Sequence, residues 1–253
     1  MAEPLSVTII TFNAGEQLAA CLRSVSFADE IVVADSGSND ATLEMARNAG
    51  AMIVHQDWLG FGKQKQFAVT KAKYDWVLCI DADEQVSDAL RISIQRELEA
   101  PRFYAYQMPR CNRFMGKWLR HGEGYPDLSL RLFHRAYAAW SNDSVHEKVI
   151  AQTPAGRLKG DLLHESETSI ESYLDKQNRY TSLQAQTLYA RGKHANILRL
   201  LFSPPLRFIK FYLFRLGFMD GIPGLVHILI GCSNSFIKYA KLIALSGNKD
   251  KVS

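Results

Sequence analysis

Two aspartates one residue apart, Asp81 and Asp83, directly follow the apolar segment 76–80. That segment has the near-continuous hydrophobicity of a buried parallel strand. Both carboxylates can therefore reach the crevice beyond the strand's carboxyl end, where open α/β sheets bind ligands. Hard oxygen ligands favour Mg²⁺ or Mn²⁺. The pattern predicts a divalent-cation site suited to holding a diphosphate, although a lone Asp-x-Asp is also typical of a solvated turn.

Strand-like segments with polar residues at their ends precede this pair. The segments 6–12, 30–34 and 51–55 are rich in β-branched residues and alternate with helical patterns at 16–22 and 41–49. This alternation predicts βαβ units with right-handed crossovers and a parallel sheet covered on both faces. The residues expected at its ligand-binding edge are Thr11, Asp35, Asp40, Asp81 and Asp83.

Length and cysteine usage fit a cytoplasmic α/β protein. The 253 residues, 47% of them hydrophobic, are enough for one full-sized core and a smaller appendage. The four cysteines are far apart and include no C-x-x-C pair, so neither a zinc site nor a disulfide framework is indicated. Residues 1–4 lack the basic and apolar regions of an export signal. No nucleic-acid partner is expected.

Positive charge is concentrated at the end of the chain. The net charge is +4, but residues 191–253 contain ten Lys or Arg against two Asp, a balance of +8 that leaves −4 elsewhere. Residues 206–218 are almost wholly apolar apart from three cations, which fall within an arc of about 140° on a helix. This pattern is typical of a helix lying on anionic lipid, and a helix packed on the catalytic domain is the other interpretation.

A membrane span is not expected from the sequence. The longest uncharged stretch, 221–237, has 17 residues and contains a proline, an asparagine and two serines. A spanning helix needs about 20 predominantly apolar residues. We therefore predict a peripheral attachment to the membrane rather than a spanning helix.

The strand ends resemble, in order, three motifs of the family-2 glycosyltransferases of the GT-A fold. Thr-Phe-Asn ends the first strand at residues 11–13, Asp-Ser-Gly-Ser-x-Asp follows the second at 35–40, and Asp-x-Asp follows the fourth at 81–83. The resemblance covers about residues 5–165. Further matches resemble the lipopolysaccharide core β-1,4-glucosyltransferase subgroup, and they lie at 58–66, 81–85, 125–127 with 131–133, and 145–147.

The resemblance implies a fold, a division into domains and an activity. The fold is an α/β, Rossmann-like GT-A fold with a mainly parallel sheet flanked by helices. Residues 1–165 are the catalytic domain, with a nucleotide-sugar half at about 1–100 and an acceptor half at about 101–165, and 166–253 are a basic, helical, membrane-associating region. The activity is inverting transfer of glucose from UDP-glucose to the inner core of lipopolysaccharide, at the inner face of the cytoplasmic membrane.

Sugar transfer from a nucleoside diphosphate requires stabilisation of the departing diphosphate, which a bound cation supplies as a Lewis acid. Asp83 is the predicted direct ligand, with Asp81 deeper toward the ribose and metal, and Asp35 meets the base. The resemblance to the family adds the remaining predicted residues of the nucleotide-sugar site. The predicted nucleotide-sugar residues are Thr11, Asn13, Asp35, Ser36, Asp40, Lys63, Asp81 and Arg179. The predicted metal ligands are Asp83, Asp81 and His164.

Two of these assignments have a second interpretation. The cations Lys63, Lys65, Lys71 and Lys73 also fit the solvated face of one helix. A lone histidine such as His164 is more often structural than a ligand, although an imidazole nitrogen is an acceptable Mn²⁺ ligand beside carboxylates.

Inverting transfer also needs a carboxylate that takes the proton from the acceptor hydroxyl. By resemblance Glu147 occupies the place of the family's acidic catalytic motif, with His146 orienting it or the acceptor. Asp127 and Asp143 are the other candidates, and a buried structural pair of His146 with Glu147 is the alternative. The basic segment 110–122 is predicted to be an acceptor loop whose cations match phosphates of the lipopolysaccharide core.

Three other functions stay open at this point. A transferase of the same family can act on another lipid-linked or protein acceptor. A metal-dependent nucleotidyltransferase also uses an acidic metal pair on a parallel sheet, but the Gly-rich loop expected after its first strand is replaced by Asn-Ala-Gly-Glu at 13–16. A non-catalytic membrane-binding protein has no need of the acidic cluster.

Overall fold

The computed structural model describes residues 2–141, 147–165 and 169–247. The chain divides into two compact units. The first unit consists of Met1–Cys111 and Asp127–His164, and the second of Asn112–Pro126 and Glu165–Ser253. The second unit thus takes a segment from the middle of the chain in addition to the C-terminal region. The functional division at residue 165 stays a prediction.

The first half of the first unit alternates strand and helix as predicted. Its elements are β1 (Leu5–Thr11), α1 (Gly15–Ser24), β2 (Glu30–Asp35), α2 (Thr42–Asn48), β3 (Met52–His55), α3 (Phe61–Lys71) and β4 (Trp76–Asp81). The four strands lie in the order β3-β2-β1-β4 and all pair in parallel. Their carboxyl ends therefore share one edge, and the predicted polar residues lie there.

Antiparallel strands extend this sheet beyond β4. The further elements are β5 (Glu84–Val86), α4 (Asp88–Glu99), β6 (Ala105–Phe114), β7 (Lys117–Trp118), β8 (Asp127–His134), β9 (Ala138–Trp140), β10 (Val149–Ala151), β11 (Gly156–Arg157) and β12 (Leu162–His164). The order continues from β4 through β8, β6 and β12 to β5, and β8 is antiparallel to both β4 and β6. The predicted α/β fold class with helix-flanked sheet is confirmed.

The predicted acceptor loop at 110–122 is partly a β-hairpin. Residues up to Phe114 belong to β6, and Arg113 and Phe114 pair with β7. Met115 and Gly116 make the turn with φ values of 48° and 77°. The expectation of a loop is wrong here because the strand continues into the basic residues, while the acceptor role of the segment stays a prediction.

Strand β4 is fixed by apolar packing on both of its faces. Leu78 and Ile80 lie in the larger core cluster and Val77 and Cys79 in a second cluster, as the two-residue period of a strand requires. All four are at most 1% exposed. Each such side chain contributes about 1.5–3 kcal/mol when it leaves water. This packing determines where the strand ends, and therefore where Asp81 lies.

The second unit is mainly helical. It contains α5 (Ile170–Ala190), α6 (Ile197–Phe208), a π-helical turn (Ile209–Phe214), a 3₁₀ turn (Gly217–Asp220) and α7 (Gly221–Gly247). The side chains of Ser169 and Asn196 cap α5 and α6 by accepting backbone N–H groups. The predicted helix over 206–218 is interrupted at Arg215 and Leu216, because Leu216 adopts the left-handed conformation with φ 55°.

Polar contacts join α7 to the other two long helices. Asn234 donates to Gln177 Oε1 at 2.8 Å, and Lys241 Nζ donates to Asn178 Oδ1 at 2.7 Å, both across to α5. Ser235 lies 2.5 Å from Ser203 of α6. These contacts are spread over the eight residues 234–241 of α7, so the helix packs as part of the unit.

The helical stretch Gly217–Ser246 is longer than its uncharged portion. It has 30 residues with a mean hydropathy of 1.3 in its most apolar window, which is 28% buried, and it is the one described stretch long and apolar enough to cross a membrane. Length alone therefore does not exclude a span, contrary to the expectation from the 17-residue uncharged stretch. The charged residues that bounded that stretch, Asp220 and Lys238, are included in the helical stretch.

Candidate active site

The turn that carries the two aspartates is held by a buried glutamate. Strand β4 ends at Asp81, Ala82 and Asp83 form the turn, and β5 begins at Glu84. Glu84 Oε2 accepts the backbone N–H of Asp81 at 2.9 Å. Arg131 of β8 donates to Glu84 Oε1 at 3.0 Å and to Asp81 Oδ2 at 3.3 Å. One arginine thereby fixes both ends of the turn.

Lys65 of α3 joins Asp81 to Glu147. Its side chain is 5% exposed, and its Nζ lies 3.0 Å from each carboxylate oxygen of Asp81. Only Oδ2 is in hydrogen-bonding geometry, so Oδ1 is buried without a hydrogen bond from any described residue. The same Nζ lies 3.8 Å from Glu147 Oε1. The predicted nucleotide-side and base carboxylates are thus brought together by one buried cation.

Trp140 of β9 lies against both of these cations. Its ring centroid is 4.8 Å from Lys65 Nζ and 5.5 Å from Arg131 Cζ. Its backbone N–H donates to Gln66 Oε1 of α3 at 2.9 Å. A ring face beside a desolvated cation contributes about 2 kcal/mol, so the indole partly replaces the water that the two cations have lost.

The charges determine which of the buried groups are ionised. Burial alone would raise the pKa of Asp81, but the charges of Lys65 and Arg131 outweigh it and lower the pKa to about 2. For Glu84 burial dominates, and it raises the pKa despite the charge of Arg131. Asp81 is therefore an anion at neutral pH, with two permanent partners.

The same network reaches Asp127, the second candidate base. Arg110 donates from Nε to Asp127 Oδ2 at 2.9 Å, and its Nη2 lies 2.8 Å from the same oxygen. Its Nη1 is 3.8 Å from Glu84 Oε1. We call the resulting series of contacts the ion-pair chain. Its members in order are Glu147, Lys65, Asp81, Arg131, Glu84, Arg110 and Asp127.

His164 lies beside Asp83, as a ligand pair requires. Antiparallel pairing of β5 with β12 aligns His164 with Glu84, one residue from Asp83. His164 Nε2 is 3.4 Å from Asp83 Oδ2. Among the described residues no group of three or more His, Cys, Asp or Glu is arranged to hold a metal ion. The protein alone thus offers two adjacent donors at this position.

The chemistry of these donors fits a divalent cation shared with a phosphate ligand. Mg²⁺ is usually held by one or two carboxylates plus substrate phosphates and water, and Mn²⁺ accepts an imidazole as well. Asp81 Oδ1, which lies near Lys65 but accepts no hydrogen bond from a described residue, adds a further lone pair. The four carboxylates of the ion-pair chain outnumber its three cations, and Asp83 adds a fifth carboxylate beside His164, so the site favours an added positive charge.

The loops after β1 and β2 are hydrogen-bonded to each other. Asn13, in the left-handed region with φ 48°, donates its backbone N–H to Ser38 Oγ and accepts Asn39 N–H through Oδ1. Asp35 is buried and accepts the N–H groups of Gly37 and Ser38 at 2.8 and 2.9 Å. Its carboxylate shapes the loop expected to receive the base.

The other predicted nucleotide residues lie in varied environments. Thr11 is buried, and its Oγ1 has no partner among the described residues. Ser36 Oγ accepts Gln64 Nε2 at 3.0 Å. Asp40 is exposed and accepts Thr42 N–H at 3.0 Å, and this hydrogen bonding lowers the pKa of Asp40. Lys63 is exposed on α3, outside the ion-pair chain.

Three predicted residues do not enter this description of the site. Arg179 lies on α5, in the second unit. His146 and Asp143 lie outside the described residues. Their roles stay predictions.

Comparison with known proteins identifies the family. The sequence profile of Glycosyl transferase family 2 matches residues 6–154, which include β1 through β10. The chain belongs to glycosyltransferase family 2. It is 32% identical to an uncharacterised glycosyltransferase of Rickettsia typhi, over 96% of this chain and 87% of that one. It is 30% identical to the lipopolysaccharide core biosynthesis glycosyltransferase LpsC of Rhizobium meliloti, over 94% and 92%.

A solved structure shows that the fold is shared more widely. The mannosyltransferase PcManGT of Pyrobaculum calidifontis, determined in complex with GDP-Man and Mn²⁺, aligns with a TM-score of 0.52 over 99% of this chain and 88% of that one. Their sequence identity is 14%. The predicted resemblance to family-2 glycosyltransferases, including a lipopolysaccharide core member, is confirmed.

The sequence analysis did not predict that Lys65 is buried in this glycosyltransferase and pairs with Asp81 and Glu147. A solvated face was one interpretation of the four lysines, and it is wrong for Lys65, while Lys63, Lys71 and Lys73 are exposed. A signal was available, because Lys65 shares the helix face of the apolar Ala68, Val69 and Ala72 at spacings of three, four and seven. A lysine on an apolar face needs a buried anion, and Asp81 is that anion.

The two neighbouring lysines allow a matched test of this arrangement. Lys65→Met should lower the free energy of unfolding by about 3 kcal/mol, because Asp81 loses a partner while staying buried. Lys63→Met should change it by at most about 0.5 kcal/mol, since that side chain is exposed. Urea unfolding at pH 7 measures both. Equal changes in the free energy of unfolding for the two variants would contradict a buried ion pair between Lys65 and Asp81.

Proposed function

We propose that this glycosyltransferase transfers glucose from UDP-glucose to the inner core of lipopolysaccharide, with inversion at the anomeric carbon. The observation that carries the proposal is the contact of one buried cation, Lys65, with both Asp81 and Glu147. A carboxylate at the nucleotide edge and a second one suited to proton abstraction therefore belong to one rigid site. Similarity to LpsC over almost the whole chain supports the acceptor class.

Asp83 and His164 are the residues that hold the divalent cation in this proposal, which is Mg²⁺ or Mn²⁺. When bound, the cation neutralises charge on the departing diphosphate. Asp81 is held by Lys65 and Arg131 at the inner end of the site, and its Oδ1, which has no hydrogen bond from a described residue, is a further acceptor for the ligand in this proposal. The loops with Thr11, Asn13, Asp35, Ser36 and Asp40 receive the nucleoside.

Glu147 is the base in this proposal. A general base removes the proton of the acceptor hydroxyl as that oxygen attacks the anomeric carbon, and the bond to the diphosphate breaks. Glu147 has one contact to a cation, at 3.8 Å, whereas Asp127 accepts two guanidinium contacts from Arg110 at 2.8 and 2.9 Å. Glu147 thus has the weaker ion pairing of the two carboxylates and is the better candidate to accept a proton. Its side chain is 24% exposed.

Asp83→Ala should abolish transfer and remove the part of nucleotide affinity that depends on the metal. Isothermal titration of UDP with and without Mn²⁺ measures this, and the folded state should persist because Asp83 lies in a turn. Asp88→Ala is the matched control, since that carboxylate is 91% exposed at the start of α4. Full metal-dependent affinity in Asp83→Ala would falsify the ligand assignment.

Glu147→Gln should lower turnover about 10²- to 10⁴-fold with little change in donor affinity, because a base contributes to the reaction and not to diphosphate binding. Turnover is measured with UDP-glucose and a lipopolysaccharide-core acceptor. The control is Asp127→Asn, which should retain most of its activity. A fully active Glu147→Gln beside an inactive Asp127→Asn would transfer the role to Asp127.

The products distinguish this reaction from nucleotidyl transfer. A glycosyltransferase releases UDP, whereas a nucleotidyltransferase forms or cleaves the bond to the α-phosphate and exchanges pyrophosphate. Release of UDP from UDP-glucose without any acceptor, slow and Mn²⁺-stimulated, is therefore the first measurement. Its absence, together with pyrophosphate exchange, would favour the other class.

We further propose that the second unit attaches to the anionic inner face of the cytoplasmic membrane. The segment 197–222 exposes a run of large apolar side chains that a soluble surface does not normally carry. Those at least 50% exposed are Ile197, Leu198, Leu201, Phe202, Leu206, Leu213, Phe214, Met219 and Ile222. Arg199, Lys210 and Arg215 lie in the same segment and complement anionic headgroups.

Substitutions at exposed apolar positions test this attachment. Leu198→Ser combined with Phe214→Ser should lower the partition of the full-length protein onto phosphatidylglycerol vesicles at least tenfold, because each inserted side chain contributes about 1.5–3 kcal/mol. Flotation at low and high salt measures it. Ile92→Ser on α4, also exposed, is the control. An unchanged partition in the double variant, or salt-insensitive binding, would contradict insertion with electrostatic attraction.

A further inference from the structure

The second unit contains a cavity that the candidate active site does not use. Its volume is about 190 Å³, enough for several water molecules or one sugar ring. It lies among α5, α6 and α7, with Glu123 of the middle segment as part of its lining. Every lining residue is from the second unit, and none belongs to the ion-pair chain.

An ion pair and a glycine build one wall of this cavity. Arg207 of α6 donates from Nε to Glu123 Oε2 at 3.0 Å, and its Nη2 contacts Glu123 Oε1. Gly231 of α7 lies against the pair, since a Cβ at that position would be 2.3 Å from Glu123 Oε2. A larger residue at position 231 would displace the Glu123 carboxylate, so glycine there leaves the pair in place as a polar wall.

Hydrogen bonds also hold the opposite walls before any ligand arrives. Gln177 accepts from Asn234 at 2.8 Å, which joins α5 to α7 beside the cavity. Thr181 donates to the carbonyl of Asn178, and Ser235 pairs with Ser203. The lining is thus a preformed arrangement and not a gap between loosely packed side chains.

The lining chemistry selects among ligand classes. The lining contains both hydrogen-bond donors and acceptors as well as the rings of two tyrosines. The polar groups belong to Gln184, Asn234, Lys238 and the Glu123–Arg207 pair. An acyl chain would leave these polar groups desolvated without partners. A metal ion would find only one carboxylate, which is already paired with Arg207. A neutral ring with hydroxyl groups, each of which both donates and accepts, satisfies the lining, and its C–H face can pack on a tyrosine.

We propose that this cavity is a carbohydrate-binding site that takes one sugar ring of the glycan acceptor. The inference rests on the proposed function in one respect, namely that the acceptor is a glycan. It adds a second place, apart from the nucleotide edge, at which the chain contacts sugar. The helical unit then contributes its own contact with the acceptor glycan.

The test uses the full-length protein and lipid-free core oligosaccharide released from lipopolysaccharide by mild acid. Binding is measured by isothermal titration without nucleotide or metal. Gln184→Ala, and Gln184→Ala combined with Asn234→Ala, should weaken binding at least fivefold and leave Mn²⁺-stimulated UDP release from UDP-glucose unchanged. Gln186→Ala is the matched control, because it is the same exposed residue type on α5 and does not line the cavity.

The outcomes separate this site from the proposed function. If UDP release is absent but oligosaccharide binding depends on Gln184, the proposed function fails and the carbohydrate site stands. If transfer occurs but the wild type does not bind the oligosaccharide, or Gln184→Ala and Gln186→Ala bind equally, the carbohydrate site is overturned. Binding that disappears when the oligosaccharide is dephosphorylated would identify a phosphate ligand and also overturn it. The Gln184→Ala variant changes an exposed side chain, so folding does not confuse these results.

Discussion

The buried pairing of Asp81 with Lys65 and Arg131 is the interaction on which the site depends. Moving such ions out of water costs several kcal/mol each, and their attraction repays this only when geometry and further hydrogen bonds are favourable. Here Glu84 satisfies Arg131, and Trp140 lies against both cations. Removing one member would leave an uncompensated charge. The cluster therefore constrains α3, β4, β8 and β9 to one relative position.

That constraint explains why a strand end can serve as a rigid site. Two apolar clusters fix β4 from both faces, and Glu84 Oε2 holds the first residue of the turn. The pairing of Asp83 with His164, the proposed metal ligands, then follows from the register of β5 with β12. Preorganised charge of this kind reduces the rearrangement required when a diphosphate leaves. In the proposed function, the residues that stabilise this region are also the ones that bind the substrate.

The alternating first half of the fold could be predicted from sequence because its signals are local. Strands β1, β2, β3 and β4 are short apolar runs that end in polar residues, and their carboxyl ends must share one edge once the crossovers are right-handed. The ion-pair chain could not be predicted in the same way. Arg131 meets Asp81 only through the antiparallel register of β8, a pairing over 50 residues that no local pattern specifies.

Single residues in the site and in the second unit also show that local sequence patterns do not specify long-range contacts. The apolar face shared by Lys65 with Ala68 and Val69 indicates burial, but the sequence does not say which anion it meets. The hairpin at Arg113 and Phe114 was expected as a loop because basic residues and glycines are typical of loops, whereas pairing with β7 overrides that preference. Local propensity is a weak guide where a strand is stabilised by its neighbour.

The separation of charge between the two units connects the site with the proposed acceptor. Residues 191–253 carry +8 and the rest of the chain −4. A negatively charged catalytic region attracts a divalent cation, yet on its own it would repel a phosphorylated glycan and an anionic bilayer. In the proposed function, basic residues in the apolar helical region remove that conflict, because they attract the anionic partner without neutralising the carboxylates proposed to hold the metal. In the proposed function, the cation-rich helices therefore allow an acidic, metal-binding site to act at an anionic surface.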